Sequence, residues 1–160
     1  MSDSETWGKP AGKFDVHKDV EKYVISQGKS LAKGDEFSQV LYNRGLINSM
    51  LGIESIRTAM AKFGNKPMTG EQVRWGFEHL DLTADRIKQL GFEGMIGPIK
   101  VSCADHEGAR TGRIQTWDGK NWNITSDWYT SDDNVIAPMV KEAASKYAAE
   151  KKIATGCLTN

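Results

Sequence analysis

At 160 residues, 39% hydrophobic and 26% charged, the chain has the composition of a soluble globular protein, and its length suits one domain with a modest core. Twenty-one basic residues balance twenty-one acidic ones, which removes any electrostatic ground for expecting nucleic acid or an anionic membrane surface as partner. No apolar run approaches the ~20 residues that span a bilayer, so membrane insertion is not expected.

Residues 1–14 read as an arm, because Gly8, Pro10 and Gly12 interrupt any periodic pattern, and residues 15–160 read as one domain. The opening MSDSETWGKPAG is polar and lacks the apolar centre of a signal peptide. Asp15 can cap a first helix through about Gln27, with Val16, Val20, Tyr23 and Val24 on one stripe. A long helix starts near Ser38, where Leu46, Met50, Ile53, Ile56, Met60 and Phe63 recur at three- and four-residue steps, and Gly64-Asn65 with Pro67 stops it. Gly45 and Gly52 inside that helix each cost about 1 kcal/mol relative to Ala. Close approach of another backbone is the expected compensation. Thr69 opens a third helix, MTGEQVRWGFEHL, and Thr83 a fourth, ADRIKQL, which ends at Gly91.

Turn chemistry dominates residues 91–123. Gly91 and Gly94 suit left-handed positions that end a helix, and Pro98 imposes an extended start on a strand over 97–102. Asp118-Gly119 between RIQTW and KNWNI predicts a hairpin with strands near 112–117 and 121–126. A final helix runs from about Asn134 to Lys152, with Pro138 in its first turn. The fold class is therefore α/β and helix-rich, with few strands.

The ordered series FEGMIGPI, a short strand, a charged Gly-containing loop and the RIQTWDGK hairpin resembles the C-terminal part of branched-chain amino-acid type (type I) periplasmic solute-binding proteins of ABC importers. FDVHKDVEKYV and VLYNRGLINSMLGIESIRTAMAKFGNKPMTGEQVRWGFEHLDLT extend the likeness upstream, and SDWYTSDDNVIAPMVKEAASKYAAEKKI extends it downstream, over roughly residues 13–157. Members of that family are more than twice as long, with a secretory signal, a first lobe and most of a second lobe ahead of this region. The resemblance implies a partial type I lobe, a periplasmic location for full-length relatives, an amino acid or small amide as solute, an ABC permease as partner, and no cofactor. It also implies that an isolated fragment offers one wall of a ligand cleft and binds weakly. An amphipathic helix must bury its stripe, so helices left without most of their sheet are expected to meet in a homodimer. A self-associating structural or interaction module without a small-molecule ligand is the alternative.

Carried over from the resemblance, Tyr42 is the leading ligand-binding candidate, followed by Asn43 and Arg44: an aromatic face covers an aliphatic chain, and an amide or guanidinium can hold a carboxylate. An ordinary helix start with Tyr42 in the core is the competing reading. An oxidising compartment would let Cys103 and Cys157 close a loop of about fifty residues, worth ~4 kcal/mol on the chain-entropy model, whereas a reducing one would leave two thiols. Cys103, Asp105, His106 and Glu107 could suggest a metal site or a thiol–imidazole pair. Their spacing within one tight loop suits neither, and a polar crossing loop is expected, with His106 satisfying a loop carbonyl. An enzyme is accordingly not expected. Trp117, Trp122 and Trp128 are expected to cover a core edge, and Trp75 with His79 to form a packing pair.

Overall fold

The computed structural model describes residues 14–31, 39–108, 110–112, 114–119 and 122–153. The predicted arm, apart from residue 14, and Cys157 lie outside them. The described residues form a mixed, helix-rich fold with three small antiparallel sheets.

Helix α1 (Asp15–Val20) continues into a π-helical turn over Glu21–Ile25, close to the predicted extent. Phe14, rather than Asp15, takes the N-cap position, and Asp15 sits in the first turn beside Lys18, 2.7 Å away. Helix α2 (Val40–Phe63) turns only part of the face counted in the sequence to the core, with Met50 buried and Leu46 packed against the cluster. Ile47, Met50, Glu54, Ser55 and Ala59 are buried, while Ile53 and Ile56 are exposed. The reason lies in its partners. Helix α3 (Gly70–Glu78) crosses α2 so closely that a Cβ on Gly76 would stand 2.1 Å from the Ser55 carbonyl oxygen, so small residues occupy the contact. Among the described residues Gly45 and Gly52 have no neighbour at that position, and the close approach expected at them falls on Gly76 instead.

Thr69 caps α3 through a reciprocal capping box with Gln72. A two-residue strand β1 (Asp81–Leu82), missed in the sequence, leads into helix α4 (Ala84–Gln89), capped by Thr83. Gly91, at φ +79°, turns the chain back against α1, where the Val16 amide donates to its carbonyl at 3.0 Å. A Cβ on Gly91 would lie 2.8 Å from the Val16 nitrogen, so this position requires glycine twice over. Strand β2 (Ile99–Lys100) then pairs antiparallel with β1, setting Leu82 opposite Ile99.

The core joins these pieces. Phe14, Val16, Val20, Ile47, Met50, Leu80, Leu82, Ile87, Phe92, Met95 and Ile99 form one buried cluster. Two polar links accompany it: His17 Nε2 hydrogen-bonds Asn43 Oδ1 at 2.6 Å, tying α1 to α2, and the Arg86 guanidinium donates to both carboxylate oxygens of Glu54 at 2.8 Å. Val16 and Val20 of α1, Ile47 and Met50 of α2 and Ile87 of α4 find cover within the chain, while Tyr23, Ile53 and Ile56 stay exposed, and the homodimer expected from uncovered stripes is not supported.

Beyond residue 101 the construction changes. Strands β3 (Thr111–Gly112) and β6 (Tyr129–Thr130) pair, and β4 (Gln115–Trp117) and β5 (Trp122–Ile124) form the predicted hairpin around Gly119 at φ +96°. Helix α5 (Asp133–Lys151) follows and buries no residue. Because it begins at Asp133, Pro138 falls in its second turn rather than its first, where its ring removes one helical donor. Trp117 and Trp128 stand about half exposed, so the expected aromatic core edge is not formed by them.

Candidate functional site

A concave groove of ≈ 570 Å³ opens beside the α2–α3 crossing. Its floor is Leu51 from α2, Val73 and Phe77 from α3, and Leu80, Ile99 and Val101 from the β1–β2 ladder and its flanks. The ladder extends one step past its strands, since the Val101 amide donates to the Leu80 carbonyl at 2.9 Å. Phe77 remains 42% exposed at the mouth, so an apolar occupant could cover it.

One wall is charged. Glu78 is buried at the end of α3, where the Arg74 guanidinium one turn earlier donates to its carboxylate at 2.7 Å. His106 Nε2 approaches the same carboxylate oxygen at 3.6 Å. His106 was expected to satisfy a loop carbonyl; it faces Glu78 across the groove rim instead.

The loop that carries His106 holds itself in shape. Ser102 Oγ accepts from the Asp105 amide at 3.1 Å, Asp105 Oδ1 from the Glu107 amide at 3.0 Å, and Gly108 takes φ +74° beneath Ile99. Arg110 ties this loop to α5 by donating to Glu107 at 2.7 Å, Asp105 at 3.1 Å and Asp133 at 2.8 Å. Those acceptors, Glu107 first and Asp133 next, hold the Arg110 guanidinium well above its ordinary value. The polar crossing loop expected around Asp105 and Glu107 is what forms. The wall therefore offers a carboxylate already satisfied by a guanidinium, and the floor suits an aliphatic or aromatic group.

The residues put forward from the sequence do not converge. Tyr42 is half-buried and packs on the core cluster, Asn43 is buried with its amide oxygen bonded to His17, and Arg44 is exposed on α2. None of the three lines the groove. Cys103 is disulfide-bonded, while Cys157 lies outside the described residues. Trp75 and His79 stack at 3.9 Å with rings 15° apart, the packing pair expected. The groove escaped the sequence reading because its floor draws on four separated segments. Only the Arg74–Glu78 spacing of four, a helix-neighbour pair, was there to be noticed. Among the described residues, no helix is long and apolar enough to cross a membrane, and no group of three or more His, Cys, Asp or Glu side chains is placed to hold a metal ion.

No family model matches the chain, and no curated protein matches it. A solved structure does. It is described as the crystal structure of an ABC transporter permease from the Pseudomonas fluorescens group, and it superposes with a TM-score of 0.82 at 40% sequence identity over 95% of this chain. The match spans 37% of that protein's length.

This finding corrects the functional expectation. The likeness to type I solute-binding proteins, and with it the reading as a receptor fragment for branched-chain amino acids or small amides, gives way to a neighbour described as a permease. The physical reason is visible in the segment that carried the likeness. FEGMIGPI through RIQTWDGK is a succession of left-handed glycines, a proline-set strand and a hairpin turn, and the structure forms them as predicted at Gly91, Gly94, Ile99–Lys100 and Gly119. Such chemistry fixes backbone geometry and carries no information about the reaction or cargo of the whole protein.

Proposed function

We propose that this chain works in an ABC transport system, as the counterpart of the matching stretch of the permease-described protein, and that it acts there through contact with other polypeptide rather than by catalysis. The observation that carries the reading is 40% identity sustained over 95% of the chain at a TM-score of 0.82. The groove agrees with it: an apolar floor walled by an internally neutralised Arg74–Glu78 pair suits the apolar side chains of a protein segment.

The test is a chimera. This chain replaces the matching stretch of the Pseudomonas protein in cells whose uptake or growth depends on that protein. Restored uptake is the expected result. A chimera that accumulates, resists proteolysis and melts cooperatively, yet restores nothing, overturns the proposal.

A further inference from the structure

Helix α5 is 19 residues long, closed at its start by Asp132 Oδ1 accepting from the Asn134 amide at 2.9 Å and at its end by Lys152 in the left-handed conformation. Asp133 in its first turn accepts from Arg110 Nη1 at 2.8 Å. Yet the helix buries nothing. Val135, Met139 and Tyr147 follow one another along one side at multiples of four residues and are 56%, 62% and 57% exposed, and Tyr129 in β6 just before the helix is 61% exposed. Helices in proteins draw most of their stability from a packed face, and a contiguous exposed apolar strip of this kind marks a contact surface.

The solved neighbour contains polypeptide that could cover it. The match takes in 95% of this chain, so at least half of α5 lies within it wherever the unmatched residues fall, and 63% of that protein lies outside the match. We infer that the α5–β6 face is a docking surface for polypeptide equivalent to the part of the permease-described protein that this chain does not span. The inference rests on the proposed kinship with that protein and adds to it the surface used and the occupant. The contact is heterologous: an apolar strip of the remainder lies along Val135, Met139 and Tyr147, beside the mixed charges of Glu142 and Lys146.

Thiol labelling tests it. Single cysteines replace Met139 and Tyr147 in this chain, and the aligned residues in the full-length Pseudomonas protein. A third cysteine replaces Lys141, on the opposite side of the helix, and each natural sequence serves as the blank. A charged maleimide is expected to modify the first two sites at least about tenfold more slowly in the full-length protein than in this chain, since a covered site reacts only when it opens. The Lys141→Cys site should react equally in both. Equal rates at all three sites overturn the inference. So does slow labelling in this chain alone accompanied by a dimer in light scattering, because the occupant is then a second copy. Slow labelling in the full-length protein beside a failed chimera would leave this docking face standing and sink the transport reading. A working chimera with unprotected cysteines would do the reverse.

Discussion

Two stretches of this chain meet water in opposite ways. From Phe14 to Val101, four helices and a two-stranded ladder enclose a common apolar cluster and lock it with paired polar groups. From Thr111 to Lys151, two small sheets and a long helix keep correct turns, caps and register, but α5 buries nothing and Ile114, Trp117, Tyr129, Met139 and Tyr147 stay about half exposed or more. Local backbone chemistry is thus sufficient to specify elements, whereas tertiary burial needs complementary surface, which among the described residues the first stretch supplies for its central cluster and the second does not supply for α5. The contrast predicts that substitutions in the first stretch disturb stability strongly and equivalent ones in the second hardly at all.

The largest expected effect is at the α2–α3 crossing. Gly76→Val places a branched side chain where even a Cβ would overlap the Ser55 carbonyl, so the helices must separate at a cost of about 3 kcal/mol. Gly52→Ala, in the same α2 helix with nothing near its would-be Cβ, should instead stabilise by about 1 kcal/mol. Urea unfolding of both variants measures the difference. A neutral Gly76→Val would show that the crossing is looser than described.

That pair of glycines also shows what sequence could and could not convey. Helix limits, the Thr69 and Thr83 caps and the Gly119 hairpin were legible because a few adjacent residues determine them. The buried face of α2 was legible only at Leu46 and Met50. Counting apolar residues selected Ile53 and Ile56, but burial fell on Glu54, Ser55 and Ala59, because Arg86, 32 positions away, neutralises the carboxylate and Gly76 needs small partners. Strand β1 was missed for a related reason: two residues carry no period, and only pairing with β2 makes them a strand. The groove was illegible on the same ground, since its floor exists only after α3 has docked.

Next in size is the Glu54–Arg86 pair. Glu54 is buried and accepts two charge-assisted bonds, with Arg57 Nε 3.4 Å away, and the hydrogen bonds from Arg86 hold its carboxyl below the ordinary value despite burial. Glu54→Gln leaves Arg86 short of an anion and should cost about 2 kcal/mol at neutral pH. The pH dependence follows from the sign of the shift. A depressed folded-state pKa contributes stability fully above the unfolded value of ~4.3 and loses it as pH falls through the folded value. The natural chain should therefore lose stability on acidification below that point, and Glu54→Gln should show a shallower loss. Parallel acid titrations would remove Glu54 from the account.

Thr69→Ala breaks the capping box of α3, leaving the Gln72 amide without its hydroxyl acceptor. The expected loss is about 1 kcal/mol, read as a lower urea midpoint with unchanged slope. A larger effect with an altered slope would mean that α3 detaches and empties the groove, making the cap a support of the candidate site.

The smallest effect is the most informative about the second stretch. Met139 is 62% exposed on α5, so Met139→Lys removes little buried area within this chain and should change its stability by less than about 0.5 kcal/mol. Lysine is also a strong helix former, so α5 itself should persist in circular dichroism. The same change at the aligned residue of the full-length protein would put a charge into a covered apolar contact and should cost several times more. Such asymmetry separates a side chain exposed because water suits it from one exposed because its partner surface lies elsewhere. If Met139→Lys already destabilises this chain on its own, α5 must pack against the rest of the molecule, and the division between the two stretches disappears.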